Sequence, residues 1–233
     1  MKRFWDHASV VPAAEGFAVH LDGKPVRLPG GGTLAVQTRA LAEALAAEWQ
    51  AAGGARDGEM SWEDVPLSRL IGTAAERIAP APEATMLAIA KYGETDLLCY
   101  RAEDPVLAAR QHAGWQPWLD WSAEVLGARL AVTDGLMPVA QEPVALAALA
   151  RAVARLDALR LSALGVLVPA LGSLVLGLAV QRGALAVEEA HRLSILDELF
   201  QEEQWGLDWM AEERREKVAT DLRLAVRLLE LAP

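Results

Sequence analysis

The sequence predicts an α+β protein: a small N-terminal antiparallel β-sheet domain with a covering helix, residues 1–65, followed by a larger, mainly α-helical domain, residues 66–233. Three observations carry this. Two alternating runs, residues 17–21 and 24–28, flank Asp22-Gly23, and Asp-Gly between such runs marks a two-residue hairpin because both turn positions need positive φ. Leu41, Leu45 and Trp49 stand four apart, the spacing of one helix face. Residues 161–180, LSALGVLVPALGSLVLGLAV, carry no charge. A helix apolar on all sides is either a membrane span or the middle of a soluble core.

At roughly 30 Å of helix the central segment has the length of a span, and Arg151, Arg155 and Arg160 before it are a span-like flank. Pro169, Gly165, Gly172 and Gly177 within it, and the lack of an aromatic belt, favour a buried soluble helix. The rest of the chain also reads as amphipathic elements that need a core to pack on, so no membrane insertion is expected. Ala158, Gly165, Gly172 and Ala179 recur every seven residues and would let a neighbouring helix approach closely on one face. Pro169 either kinks this helix, through its clash with the carbonyl four residues back, or starts a new one.

In chain order, the hairpin register sets Val19 against Val26 and Phe17 against Leu28, with His20 and Arg27 on the other face. Residues 3–11 offer a further strand. Thr38 caps a helix to about Ala52, stopped by Gly53-Gly54. Helices follow at 67–78 and 82–92, then a short β-like stretch, 95–101. Asp104-Pro105 opens a helix holding Trp115, Trp118 and Trp121 and interrupted by Pro117. Residues 130–133 suggest a short strand, and 143–159 an alanine-rich helix. From Val187 another helix carries Leu193, Leu196 and Phe200 inward. Asp197 lies about 40° from Leu193 on the border of that stripe, where a half-buried carboxylate needs a donor. Glu198, Glu202, His191 and Trp205 lie opposite. Gly206 ends this helix. A last one, 207–231, turns Met210, Val218, Leu222, Ala225 and Leu229 inward.

Composition narrows the function. The chain has 22 basic and 32 acidic residues, a net charge of −10, which argues against nucleic acid or an anionic membrane as partner. Cys99 is the only cysteine, so no disulfide framework or cysteine metal cluster is expected; it reads as a buried small hydrophobe. The glycine run 30–32 lacks the Lys-Ser/Thr of a phosphate loop. Of four histidines only His191 has a glutamate three residues before it, Glu188. A carboxylate-bridged di-iron site needs two such pairs and two more glutamates. No catalytic residue, cofactor or metal is therefore expected. The acids Asp197, Glu198, Glu202, Glu203, Asp208, Glu212 and Glu213 form either a solvated face or a patch for a basic partner. Trp49 and the Trp115/Trp118/Trp121 stripe read as core.

The chain resembles the Atp12 family of assembly chaperones for the F1 part of ATP synthase. Carrying the resemblance are Arg3-Phe4-Trp5, Leu21-Asp-Gly-Lys-Pro-Val26, Ala40-Leu-Ala with Glu48-Trp49-Gln50, and Pro66-Leu-Ser-Arg-Leu70. Further on come Thr95-Asp-Leu-Leu-Cys-Tyr-Arg101, Gln111-x-x-x-Trp115-x-Pro117-x-Leu-Asp-Trp121, Gly172-Ser-Leu-Val175, and Asp197-Glu-x-x-Gln201 with Trp205-Gly206-x-Asp208. Leu199 and Leu207 stand where many relatives are more acidic. The resemblance implies a non-catalytic chaperone, monomeric when free, that binds the unassembled α subunit of F1 ATP synthase and prevents its aggregation before α/β assembly. It also implies that Glu198, Glu202, Trp205 and Asp208 contact the partner. With no mitochondrial presequence, the chain is expected to act in a bacterial cytoplasm. The alternatives are a helical carboxylate metalloprotein or enzyme, or a permanent structural subunit of a complex.

Overall fold

The Asp22-Gly23 turn organises the first sheet. Asp22 has φ 46° and Gly23 φ 81°, the positive pair that a tight hairpin turn requires. In the computed structural model, which describes residues 1–135 and 137–232, β1 (Ala8–Ala13), β2 (Gly16–Leu21) and β3 (Lys24–Pro25) run antiparallel in that order, and β4 (Ala35–Val36) also pairs with β2. Leu21 lies opposite Lys24. Further along, the Val26 N–H donates to the Val19 carbonyl at 2.9 Å, so these two valines meet as expected, both buried. Phe17 does not face Leu28; it pairs with Val36. The chain reverses after Leu28, and Leu34 returns to donate to the Val26 carbonyl and accept from the Val19 N–H. That return hands the edge of β2 to β4.

The Asp22 carboxylate accepts from the His7 N–H at 2.9 Å and the Asp6 N–H at 3.0 Å. These backbone donors hold its pKa below the usual 3.8. The unfolded chain therefore binds this proton more readily, and the stabilisation is present above the ordinary carboxylate range and lost as pH falls through the lowered value. Asp22→Asn should melt below the wild type at neutral pH, with the difference vanishing in acid; melting curves against pH check this.

The chain forms two compact units: Met1–Pro82 with the chain end from Arg227, and Glu83–Val226. In the first, α1 (Arg39–Ala51) covers the sheet. Its Thr38 cap accepts from the Leu41 N–H at 3.3 Å, and Leu41, Leu45 and Trp49 are buried. The indole N–H of Trp5 donates to the Trp49 carbonyl, and that of Trp49 to Ser68 Oγ, both at 3.0 Å. The Trp49 ring meets Trp5 at a tilt of 60° and Trp62 edge-on at 89°. Buried Arg3 is satisfied by carbonyls, among them Gln50 at 2.8 Å, Ala52 at 3.2 Å and Gly54 at 2.6 Å. Guanidinium charge at a helix C-terminus is favourable. Helix α2 (Pro66–Thr73), continued by a wider turn to Ile78, has no cap of its own. Glu48 of α1 supplies one, accepting from the Leu67 and Ser68 N–H groups at 2.6 and 3.0 Å. Burial outweighs these donors and raises the Glu48 pKa.

The second unit is mainly helical. After α3 (Pro82–Ala90), the β-like stretch 95–101 is mostly a 3-10 turn, Leu97–Cys99, followed by β5 (Tyr100–Arg101). Helix α4 (Pro105–Trp121) is capped by Asp104, whose carboxylate accepts from Val106 and Leu107. Pro117 does not interrupt it. The lost hydrogen bond is outweighed because Trp115 and Leu119, on either side, are both core residues. The strand β6 (Thr133–Asp134) pairs parallel with β5. Burial and the nearby Asp96 push the Cys99 thiol up to about 12, which keeps it protonated and inert.

The predicted helix 143–159 is α5 (Pro143–Ala154), and Asp157 caps a new helix, α6 (Ala158–Leu171). The central apolar segment is thus two helices, α6 and α7 (Leu174–Gln181). The break is at Gly172, φ 62°, and not at Pro169, which sits in the last turn of α6. The seven-residue stripe of small residues therefore shares no single face. Gly165 is exposed with nothing near its Cβ position, and the close approach is instead at Gly177, where a Cβ would lie 2.6 Å from Val168 Cγ2. Buried Asp96 fastens the break, accepting from the Leu98 and Val175 N–H groups at 3.1 and 3.0 Å while the Leu97 N–H donates to the Gly172 carbonyl. Burial raises its pKa. Among the described residues no helix is long and apolar enough to cross a membrane.

The helix expected from Val187 divides at Ile195 into α8 (Val187–Ser194) and α9 (Leu196–Trp205). Gly206, φ 92°, ends α9 as expected. The last helix is α10 (Trp209–Leu231). It buries Ala219, Leu222, Ala225 and Leu228, whereas Val218 and Leu229 are half-buried. Met210 is not inward but 63% exposed, because the first turn of α10 precedes the part of the helix that reaches the core.

Candidate functional site

The chain reverses between α9 and α10, and Gly206 makes that reversal possible with a backbone conformation few other residues adopt. Asp208 fixes the exit by accepting from the Met210 N–H at 2.9 Å, as an N-cap does. The resulting elbow borders an open groove of about 650 Å³. Glu198, Glu202, Trp205 and Asp208 all line it, so the four residues that the family resemblance marks lie together.

Their electrostatics differ from those of a free anionic face. Glu202 is 2.6 Å from Arg215, with both side chains largely covered, and Glu198 lies 3.0 Å from Arg214 and 3.6 Å from Arg215. Glu203 pairs with Arg110 at 2.7 Å, and Arg110 also stacks on Phe200. Half-buried Asp197 has the donor it needs, the Gln111 amide at 2.8 Å. Of the acids between 197 and 213, Asp208, Glu212 and Glu213 are exposed without an ion pair among the described residues, and Asp208 is engaged in capping α10. Sequence spacing does not show Arg214 and Arg215 as partners, because only the fold-back at Gly206 brings them alongside α9.

The apolar side of the elbow is more prominent than its charge. Trp205 is 81% exposed, Trp209 69% and Leu207 66%, with Met210 beside them. A contiguous exposed apolar patch with a polar rim marks a protein contact. The signal for Trp209 and Leu207 was present in Trp205-Gly206-x-Asp208: a helix stop followed directly by a helix cap leaves the residues around it on the surface.

Other readings find less. His191 is half-buried rather than outward. Burial and the nearby Arg223 hold its pKa below the ordinary value, and its Nε2 has no partner among the described residues. Glu189, not Glu188, holds the neighbouring Arg192. Among the described residues no three His, Cys, Asp or Glu side chains converge as for a metal. Trp49 and Trp115 are core; Trp118 and Trp121 are half-exposed and meet edge-to-face at 6.2 Å. A second cavity, about 560 Å³, is lined by Arg101, Gln111, Trp115 and Asp197 among others. Here the Ala102 N–H donates to Gln111 Oε1 at 2.7 Å and the Trp115 indole to the Leu193 carbonyl at 2.9 Å. The Trp115–Leu193 bond ties α4 to α8, and the Gln111–Asp197 bond ties it to α9, the helix that carries Trp205.

A family model described as ATP12 chaperone protein matches residues 2–123. The chain is similar to the crystal structure of Atp12 from Paracoccus denitrificans, at 42% identity and a TM-score of 0.92, covering 100% of this chain and 98% of that one. It is similar at 39% identity and the same TM-score to a candidate chaperone from Agrobacterium tumefaciens, covering 100% of this chain and 86% of that one.

Proposed function

We propose that this chain, which belongs to the ATP12 chaperone family, binds the unassembled α subunit of F1 ATP synthase through the α9–α10 elbow and shields it until α and β subunits associate. An unassembled subunit shows apolar surface that normally packs on a neighbour, a standing risk of aggregation. A chaperone must cover that surface and later release it. A modest interface with one or two aromatic anchors and a charged rim does both. The observation that carries the reading is Trp205, 81% exposed, in one groove with Glu198, Glu202 and Asp208. In this reading the chain works by occupancy, without catalysis or cofactor, as a free monomer in the cytoplasm.

The test is light scattering from isolated F1 α subunit diluted out of denaturant. Equimolar chain should suppress the scattering, and adding β subunit should then yield assembled α/β. Scattering that rises as fast with the chain as with an inert protein would remove the α subunit as client.

A further inference from the structure

We propose that Leu207, Trp209 and Met210 make direct contact with the partner, that the Glu202–Arg215 pair only positions the elbow, and that the occupant is an apolar segment of the partner flanked by basic side chains. The proposal rests on the reading above and deepens it. Glu202 is a poor contact group because its carboxylate is already committed to Arg215 at 2.6 Å, with 18% and 11% of the two side chains exposed. Taking Arg215 away leaves Glu202 covered and unpaired, and taking Glu202 away leaves Arg215 only its longer contact with Glu198 at 3.6 Å. The pair joins α9 to α10 across the reversal and so sets the angle at which the elbow is held. Gly206 serves that geometry too: its φ is 92° and an added Cβ would meet nothing within 4 Å, so conformation rather than space requires the glycine.

The side chains left free are Leu207, Trp209 and Met210, 66%, 69% and 63% exposed; Leu207 and Trp209 line the groove with Trp205, and Met210 follows Trp209 in the chain. The charge beside them that is left without an ion pair is negative. Glu212 and Glu213 are three and four residues beyond Trp209, and Glu213 is three beyond Met210. They therefore share the surface of the first turns of α10 with the apolar side chains. Both are exposed and without an ion pair among the described residues, whereas Arg214 and Arg215 are neutralised by Glu198 and Glu202. Apolar anchors flanked by uncompensated carboxylates are complementary to an apolar segment flanked by lysine or arginine.

Calorimetric titration with purified F1 α subunit tests this on the full chain. Leu207→Ser with Trp209→Ser and Met210→Ser should weaken binding at least about tenfold while melting as the wild type does. Glu212→Gln with Glu213→Gln should weaken it less and flatten its salt dependence. Glu202→Arg should weaken binding, and adding Arg215→Glu should restore it, because the swap rebuilds the pair but reverses the charge at each position. Wild-type affinity in the triple variant overturns the proposal. So does a swapped chain that melts normally yet stays as weak as Glu202→Arg, since Glu202 would then touch the partner itself. Should the swapped chain not fold, Glu202→Gln decides the same point: a positioning pair loses melting temperature and affinity together, and affinity lost at unchanged melting overturns it. A wild-type chain that binds no α subunit is a different result; it overturns the functional reading and this proposal with it.

Discussion

Trp49→Arg should destabilise the chain by about 3–5 kcal/mol, from the lost ring and the buried charge. In a chain of this size that corresponds to a fall in melting temperature of roughly 6–20 °C. Trp49 is 4% exposed, with its ring between those of Trp5 and Trp62. Its indole donates to Ser68, whose hydroxyl in turn donates to Glu48 at 3.1 Å, and Glu48 caps α2. An arginine there would place a cation among rings with no carboxylate free, since Glu48 is occupied by the N-terminus of α2. Trp49→Phe keeps most of the ring and loses the hydrogen bond, so it should cost about 1–2 kcal/mol. Denaturant unfolding of both variants checks the order. An arginine variant with wild-type melting would show that this ring is not part of the core.

What the sequence revealed of the fold was what is decided locally. Asp22-Gly23 demands its turn whatever surrounds it, Thr38 caps a helix from one residue away, and Leu41, Leu45 and Trp49 share a face by spacing alone. The errors fall where distant residues decide. Phe17 pairs with Val36 because the chain doubles back after Leu28. The central segment breaks at Gly172 because Asp96 and Leu97, far earlier in sequence, hold the backbone there. Pro117 stays helical because its neighbours are core. No local pattern shows that Arg3 will be satisfied by carbonyls at the end of α1, or that Glu48 will cap another helix.

The same division holds for the candidate site. The exposure of Trp205 was legible from its place on the helix face opposite Leu193 and Leu196. The donor for Asp197 was legible as a requirement, though not as Gln111. The pairing of Glu198 and Glu202 with Arg214 and Arg215 was not, because it exists only after the chain reverses at Gly206. The period of α10, extended back to its first turn, puts Met210 inward, yet Met210 is 63% exposed. That turn lies at the elbow, ahead of the residues that pack.

Trp205→Ala carries the largest expected effect on binding. The ring is 81% exposed, and Trp205 makes none of the ring contacts found in the fold. Its removal should leave melting unchanged within about 0.5 kcal/mol. At the centre of an interface, a tryptophan anchor in a desolvated contact is worth about 2 kcal/mol or more, roughly a thirtyfold change in affinity. The measurement is capture of purified F1 α subunit by immobilised chain, wild type beside Trp205→Ala, with a melting curve for each. Contact through the elbow predicts strong capture by the wild type, a loss of roughly thirtyfold or more in the variant, and superimposable melting curves. Equal capture by the two chains would contradict it.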